Sequence, residues 1–197
     1  MRNPRRAAVA CAPLLAVVWP AAAEAHPMAG VGDFYAGMLH PLTTVEHVLP
    51  LAALGLLAGQ QPRGTTLRVI PAVPVALIAG AALALALPAP PDLQAVTIGS
   101  MVALGALVAL AASLPPLVAV AAAALPAAAI GWANAAELGG QVAAVRFVPG
   151  VALVGLLVVI YGAGCVRGLR APWMRMAFRV LGSWIAALGV MTLGLQM

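Results

Sequence analysis

LQAVTIGSMVALGALVALAASLPPLVAVAAAALPAAAIGWANAA, residues 93–136, runs for 44 residues without a charged side chain. A membrane-crossing helix needs about 20 mainly apolar residues, so this stretch is about twice one span. Pro115-Pro116 stands near its middle. Proline ends a helix and is tolerated in the first turn of the next one, so the stretch predicts two spanning helices joined by a tight turn. The composition agrees: 64% of the 197 residues are hydrophobic and 8% charged, against about 25% charged in soluble domains. A disordered chain, a disulfide scaffold and most soluble enzymes are excluded. The ten basic side chains are all Arg and lie scattered between apolar runs, so the net charge of +5 does not build a nucleic-acid-binding face.

Outward from that stretch, residues 69–91, 147–166 and 180–197 are further uncharged runs. With 34–59 they bring the count to six, and the expected fold is an all-α polytopic membrane bundle of six transmembrane helices. Residues 1–25 precede it: Arg2, Arg5 and Arg6, an apolar run over 7–23, and Ala23-Glu24-Ala25, a small-x-small cleavage pattern. They read as a cleaved secretory signal peptide, leaving residues 26–197 as a single membrane domain that begins at His26. With that end outside, the positive-inside rule puts Arg63, Arg68, Arg167, Arg170, Arg175 and Arg179 in the cytoplasm, and only Arg146 outside, beside Asp92 and Glu137. Both mature termini are then external, and the location is the inner membrane. Cys11 leaves with the signal, so with Cys165 as the one cysteine of the mature sequence no intrachain disulfide is expected. Gly164 and Gly168 form a G-x-x-x-G, read first as packing inside the bundle and second as a contact between copies of the chain. Pro71, Pro74 and Pro126 imply kinks.

With so few polar groups, chemistry has few places to sit. All three histidines, His26, His40 and His47, fall within 22 residues that also hold Asp33 and Glu46. An ionised group at mid-span costs about 2.5–3.5 kcal/mol on insertion scales and less near an interface, a cost usually kept for function. A second polar pair, Asn134 and Glu137, has i, i+3 spacing and so shares one helix face at the external end of the fourth span. Gly139-Gly140 follows as a helix stop, which leaves Glu137 at the negative end of the helix dipole, unfavourable unless a cation or donor is near. In an unbroken helix His40 and His47 would be about 10.5 Å apart along the axis, too far to share one ion. Pro41 and the string Thr43-x-x-Glu46, which fits a capping box, instead favour a break near 40–43 with a restart at Thr44. Broken helices beside polar residues build ion sites in transporters. The plainer roles stay open: Glu46 as a cap, His47 as a satisfied core histidine, His40 as an interface residue, Asn134 as a helix–helix hydrogen bond, and His26 with Asp33 as a solvated lead-in.

These residues resemble the HupE/UreJ family of nickel and cobalt permeases. A family pattern close to H-P-x-x-G-x-D-H is matched by His40-Pro41-Leu42-Thr43-Thr44-Val45-Glu46-His47, followed by Ala53-Leu54-Gly55 where the family has A-V-G. Gly32-Asp33-Phe34-Tyr35-Ala36-Gly37 is similar to its G-F-x-x-G lead-in. A second pattern, H-G-x-A-H-G-x-E, meets Ile130-Gly131-Trp132-Ala133-Asn134-Ala135-Ala136-Glu137, in which Ile130 and Asn134 replace both histidines. Imidazole suits nickel and copper whereas carboxylate and carbonyl oxygens suit harder ions, so the exchange bears on metal preference. The resemblance implies a secondary permease for Ni2+ or Co2+ that supplies a metalloenzyme such as hydrogenase or urease. Its metal-site residues would be His40, Glu46, His47, Asn134 and Glu137, with His26 as a further candidate. The alternative is a membrane accessory protein that holds metal for enzyme maturation without transporting it. No permanently bound cofactor and no enzymatic activity are expected. Expected partners are the ion and the bilayer, with hydrogenase or urease maturation proteins and further copies of the chain as candidates.

Overall fold

The computed structural model describes residues 32–138, 142–168 and 171–196. His26, the signal-peptide assignment over residues 1–25, Gly139-Gly140 and Arg170 lie outside them. The described residues form seven α-helices and no strand: α1 Asp33–Thr43, α2 Val45–Gln60, α3 Arg63–Leu85, α4 Gln94–Ala109, α5 Pro116–Ala136, α6 Ala144–Gly168 and α7 Pro172–Leu195. Four of them, α3, α5, α6 and α7, are long and apolar enough to cross a membrane, and α1 with α2 makes a fifth if the bent pair counts as one span. Helix α4 is apolar but shorter, at 16 residues.

The uncharged stretch forms the two expected helices, α4 and α5, joined by a tight turn, and of the two only α5 is long enough by itself to span. Helix α4 closes with the Ala112 amide bonded to the Leu107 carbonyl and Ala111 at φ 50°, a Schellman-type end with a left-handed residue after the cap. Pro115 and Pro116 then start α5, where a missing N–H costs nothing.

The break between α1 and α2 lies one to four residues later than the sequence suggests. Helix α1 continues through Pro41 to Thr43, Thr44 alone is extended at φ −96°, ψ 114°, and α2 restarts at Val45. The two helices meet at 82°. The threonine hydroxyls explain the position. Thr43 Oγ1 and Thr44 Oγ1 both donate to the His40 carbonyl, at 3.0 and 3.2 Å, occupying the acceptor that the Thr44 amide would need to extend the helix. The capping box is not formed: Thr44 is the N-cap residue, no side chain caps α2, and Thr43 bonds backwards. Glu46 still lies in the first turn of α2, where the helix dipole favours a negative charge.

Close approach of small residues holds the bundle. A Cβ on Gly80 would collide with the backbone of Ala128, and one on Gly131 with that of Leu77, so α3 and α5 touch backbone to backbone. Gly37 and Gly150 play the same part between α1 and α6. Gly164 and Gly168 meet nothing within 4 Å, so the packing first expected of that G-x-x-x-G is not seen among the described residues. The interior is filled by Leu51, Leu54, Leu77, Met101, Ile130 and Val159, each at most 1% exposed.

The polar groups separate to two ends. At one end Gln61 donates to the Ala112 carbonyl at 2.9 Å and accepts from the Leu114 amide at 2.9 Å, while Arg167 donates to the Gln61 carbonyl and Thr66 Oγ1. Arg179 Nε donates to the Ala109 carbonyl at 2.7 Å, a cation at the negative end of α4. The other end gathers the α1–α2 bend, the α3–α4 connection, the end of α5 and the start of α6. There the Ala143 amide donates to Asp33 at 3.3 Å, so Asp33 ties α1 to α6.

Candidate metal centre

The 82° bend turns His40, on α1, and His47, on α2, toward the same point on α5. Their ring centroids are 6.3 Å apart, well inside the axial separation a straight helix would impose. Between them stands Asn134, 1% exposed. Its Oδ1 lies 3.0 Å from His40 Nδ1, and its Nδ2 lies 3.1 Å from His47 Nδ1 and 2.8 Å from the Ile130 carbonyl. One amide therefore bridges two imidazoles, and both of its polar atoms have partners, as burial requires. His47 is itself only 3% exposed.

Glu137 completes the group. It caps α5 one turn after Asn134, and its Oε2 lies 3.3 Å from His40 Nε2. His40 supplies the partner that a carboxylate at a helix C-terminus needs, an ion pair when the ring is protonated. The hydrogen bond with His40 holds the Glu137 carboxyl below its ordinary value, against burial, which pushes it up. The edge of Phe147 closes the other side of the His40 ring, with centroids 5.7 Å apart.

A pocket of about 340 Å³ opens beside this network, with His47 and Glu137 in its wall. His40 reaches the pocket through Glu137. Glu46 also lines the pocket and accepts from Gln94 Nε2 at 3.3 and 3.2 Å, and the Gln94 backbone amide donates to Asp92 at 2.7 Å. Trp132, in the same lining, donates to the Pro91 carbonyl at 2.9 Å. The structure thus joins four of the sequence-derived residues, His40, His47, Asn134 and Glu137, and adds Glu46 to the lining of the pocket beside them. Gln94 was not foreseen, because an isolated Gln at a helix start carries no pattern.

Chemically, a tetrahedral ion such as zinc, with metal–nitrogen bonds of about 2.0–2.1 Å and metal–oxygen bonds of about 2.0–2.2 Å, holds two adjacent ligand atoms roughly 3.2–3.5 Å apart. The 3.3 Å between His40 Nε2 and Glu137 Oε2 matches that spacing. Among the described residues no three His, Cys, Asp or Glu side chains converge as a cage. No curated protein and no solved structure matches the chain. A family model described as HupE / UreJ protein matches residues 14–192, nearly the whole sequence and both polar motifs, and by that match the chain belongs to the HupE/UreJ family.

Proposed function

We propose that the protein is a secondary permease for a divalent transition-metal ion, nickel or cobalt, loaded from the external end of the bundle. The observation that carries this reading is the helix break that brings His40, Asn134, His47 and Glu137 together beside an open pocket. Buried titratable groups at a discontinuous membrane helix are expensive and mark ion paths. The six-span topology follows if the bent α1–α2 pair is one span and α4, with its flanking residues, another. The gathering of Arg167 and Arg179 at the end opposite the pocket supports a cytoplasmic location for that end. In this reading residues 1–25 are a signal peptide, both mature termini face outward, the membrane is the inner one, and the ion is cargo for a metalloenzyme such as hydrogenase or urease and its maturation proteins.

The test is metal accumulation in cells expressing the wild type, His40→Ala or Glu137→Ala at matched levels. Nickel or cobalt uptake above the empty-vector level is expected for the wild type, with at least a tenfold loss in each variant, the scale of one direct ligand at about 1.4 kcal/mol or more. A wild type that never exceeds the vector for nickel, cobalt, copper or zinc overturns the permease reading. The exchange of both second-motif histidines, for Ile130 and Asn134, favours one second reading, an accessory protein that holds metal without moving it. Binding by the purified protein without uptake in cells is its signature.

A further inference from the structure

The Asn134 amide is not symmetric, and its orientation is fixed from outside the site. A backbone carbonyl can only accept, so the amide atom 2.8 Å from the Ile130 oxygen is the NH2 group. That same NH2 group faces His47 Nδ1 at 3.1 Å. Since NH2 only donates, His47 Nδ1 accepts, and the proton of its neutral ring sits on Nε2. The amide oxygen, at 3.0 Å, faces His40 Nδ1. Since that oxygen only accepts, His40 carries a proton on Nδ1 and turns Nε2 toward the Glu137 carboxylate, 3.3 Å away.

We infer that Asn134 is a positioning residue that sorts the two histidines. It commits His40 Nε2, together with Glu137, to the incoming cation, which displaces to solvent the proton that Nε2 shares with the carboxylate when the ring is charged, and it keeps His47 as an N–H donor rather than a ligand. This deepens the permease reading and rests on it for the identity of the ligand. The site takes a borderline divalent ion on one imidazole and one carboxylate, with the pocket's solvent filling the other positions. His47 can then donate from Nε2 to a water or anion that accompanies the ion. A carboxylate at position 134 has no donor for the Ile130 carbonyl and must turn away from it. Turned to accept from both rings, it moves the His47 proton to Nδ1 and frees Nε2 as a second ligand, in the way carboxylates orient metal-binding histidines elsewhere.

Two measurements on the full-length protein in detergent test this. In histidine-15N-labelled metal-free protein, on the basic side of the imidazole range, His47 is expected to carry its proton on Nε2 in the wild type and on Nδ1 in Asn134→Asp. With Ni2+ or Co2+ added alone, electron-nuclear spectroscopy or X-ray absorption is expected to count one coordinated imidazole in the wild type and two in the variant. A wild-type His47 protonated on Nδ1, or two imidazoles on the ion in the wild type, overturns the sorting, and these wild-type readings decide it even where Asn134→Asp fails to fold. If His47 switches its proton as expected but neither protein binds Ni2+ or Co2+, the permease reading falls and the sorting of the histidines stands.

Discussion

At the residue scale, the site turns on how few groups share the work. Glu137 would be an unfavourable charge at the end of α5 if it stood alone, and His40 converts it into half of an ion pair. Because its folded-state carboxyl titrates below the ordinary value of about 4.3, its contribution to stability is present above that value. It is lost only as pH falls through the lowered one. With the side chain 57% exposed, solvent screening keeps that contribution to about 1 kcal/mol or less, roughly 2–4 °C of melting temperature for a chain of this size. Glu137→Gln should therefore melt a few degrees below the wild type from about pH 6 to the ordinary carboxylate range, and the two should converge in stronger acid. Melting curves over that range check it. Convergence already above about pH 5 would show that His40 does not hold the carboxyl low. Scarcity of charge made these residues legible in the sequence: in a chain with five acids and three histidines, two short motifs were conspicuous. Their division of labour was not legible. Asn134 reads as a ligand or a simple helix contact until the Ile130 carbonyl shows which way its amide is turned.

At the element scale, the bend between α1 and α2 is what makes a site out of two distant histidines. Proline suggested it, but Pro41 sits inside α1, and the threonine hydroxyls on the His40 carbonyl hold the turn. Side-chain bonds to a carbonyl three or four residues back look the same in sequence as any pair of threonines, which is why the break was anticipated to within a few residues and its cause was not. Replacing both, Thr43→Val with Thr44→Val, keeps the shape and removes the competing donors. The Thr44 amide can then complete the helix, and the histidines move toward the axial spacing of about 10.5 Å. Ni2+ affinity by equilibrium dialysis should fall at least about tenfold, or 1.4 kcal/mol, with helix content by circular dichroism unchanged or raised. Thr43→Val alone leaves the Thr44 hydroxyl in place and should cost less. Unchanged affinity in the double variant would mean that the bend is held by tertiary packing rather than by the hydroxyls.

At the scale of the whole molecule, the two ends differ in chemistry, and the proposed orientation rests on that difference. The pocket end carries carboxylates and imidazoles, whereas the opposite end is tied by Gln61, Arg167 and Arg179 to helix-terminal carbonyls. The overall helical plan was legible because uncharged runs and arginine-bearing connections alternate. The packing partners were not, since runs rich in Ala and Gly resemble one another and only close backbone approach, as at Gly80 and Gly131, says which helices touch. The turn between α4 and α5 is the sharpest test of orientation, because it has no charge of its own and its side follows entirely from its neighbours. Ser113 in that turn and Ala143 before α6 are both exposed and lie at opposite ends of the bundle. In a chain with Cys11 and Cys165 replaced by Ser, Ala143→Cys should react with a membrane-impermeant thiol reagent in spheroplasts. Ser113→Cys should react only after the membrane is opened. The reverse pattern would invert the topology and place the His40–Glu137 pair on the cytoplasmic side, turning a loading site into a release site. Equal labelling of both in intact spheroplasts would mean that residues 93–136 do not cross the membrane as a hairpin of two spans.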